Sequence, residues 1–238
     1  MTTEPKNKKP KSATREWVES ILIALVLAVL IRSYIIQPFK IPSGSMRMTL
    51  IEGDHLFVDK WTYGPQVLPP MFWDIGFKDG IPPTWPSYLG FLNNIHYSVR
   101  WPDSFLPLTK IRLPGLRKPQ RGDIIVFVYP GDPTMDFIKR LIAVGGETVE
   151  IRDGAIYING KVVTDPRIRR TYYYNYDGND GYGAPGQVVH VPPGYVFVMG
   201  DNSANSRDSR YWGFAPESSI LGKADFLFWP LDRIRFIQ

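Results

Sequence analysis

Residue types limit the chemistry of this chain before their spacing does. With no cysteine among 238 residues, cysteine nucleophiles, disulfide frameworks and cysteine-based zinc sites are excluded. A serine nucleophile needs a base, and histidine is the usual one. The chain has three: His55 in an alternating apolar-polar run, His96 in an irregular stretch and His190 before a proline-rich turn. None has the surroundings a catalytic triad requires, and no paired His spacing suggests a metal site. Lysine is the alternative base, provided desolvation brings its pKa down towards neutrality. Lys139 is the one lysine set among consecutive apolar residues, in 136–142 (DFIKRLI). On a strand, Phe137, Lys139 and Leu141 point the same way, so Lys139 would share an apolar face. The alternative is a solvated Lys139 with Arg140 buried in its place. Residues 41–50 (IPSGSMRMTL) taken alone read as a turn.

These segments need elements to position them. Residues 17–36 are largely apolar, and 21–31 (ILIALVLAVLI) are apolar without interruption. As a helix the twenty residues rise about 30 Å, roughly the hydrocarbon thickness of a bilayer. A basic start and an apolar core also describe a cleavable signal peptide, but no small-x-small site follows, which favours an uncleaved anchor. Residues 1–15 hold Lys6, Lys8, Lys9, Lys11 and Arg15 against Glu4 alone, which makes 1–16 a basic tail. The tail should stay in the cytoplasm, leaving 37–238 outside. Since most of the net charge of +5 sits in that tail, no nucleic-acid-binding face is expected.

Beyond the anchor the apolar runs are short and β-branched: 124–129, 137–144, 148–151, 155–158, 195–199 and 224–229. Asp153-Gly154 and Asn159-Gly160 predict two-residue hairpin turns, making 120–165 an antiparallel unit. Twenty-two prolines and 21 glycines argue against further long helices. Two stretches read as insertions. Residues 64–118, crowded with Pro and aromatics, either pack as a loop or touch the bilayer interface. Residues 171–186 (TYYYNYDGNDGYGAPG) read as a mobile loop.

Taken together, residues 41–50, the Lys139-Arg140 pair, residues 53–60 (GDHLFVDK) and residues 200–214 (GDNSANSRDSRYWGF) resemble the bacterial type I signal peptidase family. Members of that family are membrane-bound serine proteases with a Ser-Lys dyad. The resemblance implies a mainly β, antiparallel catalytic domain after a single transmembrane helix, a fold shared with self-cleaving repressors. By the same resemblance Ser45 is the nucleophile and Lys139 the general base. Ser43 joins the Ser45 N–H in the oxyanion hole, and Ser206 orients the lysine. Asp208 and Arg210 give structural support, and Asp201 is either part of that support or a turn residue. Ile41, Met46, Leu50, Phe137, Ile138 and Met199 are expected to line small substrate pockets, or else to be core. The chain departs from the family pattern at Met48, usually proline, at 143–147 (AVGGE), usually Gly-x-Pro-Gly-Asp, and at Arg207, usually small.

The implied reaction is removal of signal peptides from secretory preproteins after Ala-x-Ala sites, at the bacterial cytoplasmic (inner) membrane, by a monomer without cofactor or metal. A self-cleaving repressor should carry a DNA-binding helix pair instead of an anchor. A pilin-maturing relative is hardly separable by sequence, and an inactive peptide-binding β-domain would not depend on Ser45 or Lys139.

Overall fold

The computed structural model describes residues 12–67, 111–178 and 181–237. Its first element is helix α1 (Ala13–Tyr34), which starts earlier and ends earlier than the expected 17–36. The end is set by pairing. Ile35 N–H still donates to Ile31 O, while Ile36 already opens strand β1 (Ile36–Lys40), opposite Asp59 of β2 (His55–Asp59). Ser33 is the single buried residue of α1, and Trp17, Ile21, Ile23, Leu25 and Leu27 are all exposed. Among the described residues little packs on this apolar helix, a surface consistent with membrane anchoring. Its C-terminal end is nevertheless fastened to the sheet. Lys60 donates through Nζ to Ser33 O (3.2 Å) and through its N–H to Ile35 O, and Tyr34 Oη donates to Val67 O.

The remainder is mainly antiparallel β, as expected. One sheet runs in the order β1-β2-β11-β3-β4-β9-β10, with β12 on β11. Its further strands are β3 (Ile124–Val128), β4 (Asp136–Val144), β9 (Tyr195–Met199), β10 (Ala215–Pro216), β11 (Ile220–Trp229) and β12 (Arg235–Phe236). A smaller sheet, β7-β6-β5-β8, holds β5 (Thr148–Arg152), β6 (Ala155–Ile158), β7 (Lys161–Val162) and β8 (Val189–His190). Both predicted hairpin turns form, with positive φ at Asp153 and Gly154 (51° and 72°) and at Asn159 and Gly160 (50° and 75°). Both central residues of such a turn must be left-handed. The 120–165 unit is antiparallel throughout, but its strands divide between the two sheets.

β3 and most of β4 are buried on both faces. One face packs with Ile41, Met46, Leu50, Leu56 and Val58, the other with Leu141, Val196 and Val198. A third cluster joins the smaller sheet to Phe197 and Met199.

Of the first insertion, residues 68–110 lie outside the described residues, and with them fall His96 and the aromatics that might meet the bilayer. The flanks pair with each other: Val67 N–H donates to Ile111 O, and Leu113 N–H to Pro65 O. Of the second insertion, read from the sequence as a mobile loop, residues 171–178 and 181–186 are described and make several hydrogen bonds to their surroundings. Tyr173 is buried, its N–H donating to Gly154 O. Tyr174 N–H donates to Ser203 Oγ, and Asn175 Nδ2 to the carbonyls of Ile151 and Gly183.

Candidate active site

Ser45 sits in a single 3-10 turn, Gly44–Met46, entered from an extended Ser43. Two features hold the turn. Met46, fully buried with Ile41 and Leu50, roots it in the core. The Met46 carbonyl then accepts from both Thr49 and Leu50 N–H. Across the chain, Asn202 donates its N–H to Ser45 O (2.9 Å) and its side-chain amide to Gly44 O (2.8 Å). Ser45 is second in its turn, so its own N–H has no acceptor within it. The Ser43 hydroxyl is exposed and does not cap the turn.

Lys139 lies opposite Ile125 in the β3-β4 register and Arg140 opposite Ile124. Lys139 Nζ is 2.6 Å from Ser45 Oγ and 5.4 Å from the centre of the Phe137 ring, on the shared face expected of it. The residue is 4% exposed. Burial lowers its pKa to about 8, against smaller opposing pulls from Asp208 and Asp201; Arg210 adds to the lowering. Among the described residues no carboxylate reaches ion-pair distance of Nζ. The choice between a buried Lys139 and a buried Arg140 is overturned, because both are buried. Arg140 is completely enclosed and meets Asp201 through two parallel hydrogen bonds, Nε–Oδ1 2.7 Å and Nη2–Oδ2 2.6 Å. β4 is covered on both faces, so strand alternation sends neither side chain to water.

Asp201 is the hub of a wider network. It also accepts from the Thr49 hydroxyl and from Arg170 (3.3 Å), and its N–H points at Met46 Sδ (3.4 Å). It ties β4 to the Ser45 turn and is more than a turn residue.

Asp208 and Arg210 pair through Nε–Oδ1 and Nη2–Oδ2, both 2.9 Å, and both are buried. Asp208 also accepts from Gly200 N–H (3.0 Å). Arg210 donates to Ser203 O (2.7 Å), Tyr174 O (2.8 Å) and Ser206 O (3.4 Å). The pair therefore binds the strand end at Gly200 to the loop carrying Ser206. Ser206 Oγ is buried and makes no hydrogen bond; the one expected to Lys139 is not formed. Gly200 fits where no other residue could: a Cβ there would lie 2.2 Å from Ser206 Oγ and 2.5 Å from Ser45 O.

Of the six expected pocket residues, Ile41, Met46, Leu50 and Met199 are sealed in the core. Phe137 and Ile138 are partly exposed; Phe137 shares the Lys139 face of β4, and Ile138 packs with the cluster on the other face. Met48 and Arg207, two of the departures from the family pattern, are both exposed. His55 pairs opposite Lys40 and Trp229, and His190 lies in the smaller sheet. Among the described residues no group of His, Asp and Glu is arranged to hold a metal ion. Sequence reasoning missed Asn202 and Thr49. Both lie inside the quoted blocks, but their partners are more than 150 positions away.

The family described as "Signal peptidase, peptidase S26" matches residues 14–229. Signal peptidase I of Rickettsia massiliae is 32% identical over 95% of this chain and 84% of its own length. A probable signal peptidase I-1 from Synechocystis is 33% identical over 94% and 87% respectively. A crystal structure of a signal peptidase I from Enterococcus faecalis is 36% identical, covering 45% of this chain and 97% of its own, with a TM-score of 0.35.

Proposed function

Because the chain belongs to the signal peptidase family, peptidase S26, a serine peptidase family that removes signal peptides from preproteins, we propose that Ser45 is its nucleophile and Lys139 its general base. The observation that carries this reading is the 2.6 Å approach of a buried Nζ to Ser45 Oγ, with no carboxylate paired to the amine among the described residues. Desolvation without a partner favours the neutral amine, and a neutral amine can accept the hydroxyl proton.

In the acylation step the Ser45 Oγ–carbon bond forms as its proton passes to Lys139 Nζ. The resulting ammonium gives that proton to the leaving amine as the peptide C–N bond breaks. Water then attacks the acyl-enzyme, losing its proton to Lys139, and Ser45 is regenerated. The oxyanion meets the Ser45 N–H and the Ser43 hydroxyl, each such donor contributing on the order of 3 kcal/mol. Ser206 orients the amine. Asp208, Arg210 and Asp201 hold the segments and touch no substrate. Phe137 and Ile138 bound the space for the small side chains of an Ala-x-Ala site.

α1 spans the membrane once, with the N-terminal tail cytoplasmic and the catalytic domain extracytoplasmic, at the bacterial cytoplasmic membrane. The family and the apolar helix are consistent with membrane anchoring; the basic tail supports the orientation. Ser45 follows the helix end by only eleven residues, so a tethered enzyme meets a tethered substrate.

The test is cleavage of a preprotein carrying an Ala-x-Ala site by the detergent-solubilised chain, compared with Ser45→Ala at equal folded concentration. Cleavage by the unaltered chain alone is the expected result. Equal cleavage by both would remove Ser45 from the mechanism.

A further inference from the structure

All fourteen residues between β1 and β2, 41–54, lie outside the sheet ladders, yet they carry Ser45. A segment of this kind opens more easily than the strands beside it. A misplacement of about 1 Å at reacting atoms can cost about 100-fold in rate. Its neck is closed by backbone bonds between Ile41 and Asp54 (2.8 Å) and between Gly53 and Ile41 (2.9 Å). Further grips come from the far end of the chain. Arg233 donates Nε to Oδ1 and Nη2 to Oδ2 of Asp54, each at 2.9 Å. The Asp54 carboxylate is fully enclosed and also accepts from Ile51 N–H (2.9 Å), so it holds the turn and the arginine together. Arg235 Nη2 donates to the carbonyl of Thr49, four residues past Ser45. The segment bearing both arginines is itself fixed. β12 pairs with β11 at Phe226↔Phe236 and Leu227↔Arg235, and Ile237 N–H donates to Asp225 O. The Ile237 side chain is buried in the same cluster as Ile41, Met46 and Leu50.

We propose that residues 233–237 form a clamp on the nucleophile loop, with Arg233 and Arg235 as positioning residues for the peptidase reaction. The proposal rests on Ser45 being the nucleophile. The clamp lies beyond residue 229, where the family match ends. A planar guanidinium gripping both oxygens of one carboxylate fixes orientation as well as distance, which an ammonium cannot do. Arg233 sets the neck of the loop and Arg235 its middle, so two points along residues 41–54 are held by one short segment, the turn ending at Arg233 and the strand beginning at Arg235.

The experiment uses the full chain in detergent, with kcat and KM for preprotein cleavage measured per folded molecule. Arg233→Met is expected to lower kcat by about tenfold or more with little change in KM. Arg233→Lys should recover part of the loss, and Arg235→Met should lower kcat by a smaller factor. Asp54→Asn combined with Arg233→Met should be no slower than the slower single variant, since both remove one contact. Unchanged kcat per folded molecule in Arg233→Met and Arg235→Met, with only less folded protein, overturns the clamp. Should Arg233→Met not fold, Arg233→Lys and Arg235→Met decide on the same criterion. Ser45→Ala runs beside them. If it still cleaves, the nucleophile reading falls and the clamp with it; if it is dead while the arginine variants run at full speed, the clamp alone falls.

Discussion

The two faces of β4 carry adjacent basic residues, equally hidden from water, and put them to opposite uses. On one face Arg140 is enclosed and meets Asp201 through two short hydrogen bonds, which makes it a structural tie. On the other, Lys139 is enclosed beside Phe137 and Ile125, with no carboxylate at ion-pair distance among the described residues, and burial lowers its pKa to about 8. Burial alone does not make a base. Burial without a counter-charge favours the neutral amine that the proposed base needs, and the difference here is which face of one strand a side chain leaves from.

Replacing each residue in turn by methionine tests this contrast most severely. Lys139→Met removes the base while leaving the volume nearly unchanged. Preprotein cleavage should fall by about 10²–10⁴-fold, and the melting temperature should hold or rise, because an uncompensated buried amine is gone. Arg140→Met should do the reverse. It strands the Asp201 carboxylate in the interior and should cost about 3–5 kcal/mol in denaturant unfolding, while folded molecules keep more activity than Lys139→Met does. Equal losses of activity and stability in both variants would erase the distinction between the faces. A smaller effect is expected at Ser206, whose buried hydroxyl makes no hydrogen bond. Ser206→Ala should leave stability unchanged or slightly higher, since no partner is orphaned. If the hydroxyl orients Lys139 during turnover, kcat should fall several-fold, and a full-speed Ser206→Ala would assign it to packing.

Much of this contrast was legible in the sequence. The DFIKRLI run announces a strand with Lys139 on an apolar face, and Asp153-Gly154 and Asn159-Gly160 announce their turns because few other pairs accept two left-handed residues. The apolar helix is equally plain, although its end depends on a pairing between Ile36 and Asp59 that no periodicity encodes. What stayed hidden depends on contacts distant in the chain. Strand alternation offers Lys139 or Arg140 to the interior, and only the arrival of Asp201 from 61 positions away lets both be buried. Asn202 on Gly44, and Arg233 on Asp54 across 179 positions, are likewise products of topology.

The most direct measurement is a nuclear magnetic resonance titration of the side-chain nitrogen of Lys139 in the detergent-solubilised protein, its signal identified by loss in Lys139→Met. The account predicts a titration near 8, well below the 10.5 of an exposed lysine. Between those values the unfolded chain holds the proton and the folded chain does not, so folding stability should climb as pH rises through the same window. A Lys139 that titrates near 10.5 would remain charged at working pH, and a charged amine cannot take the Ser45 proton.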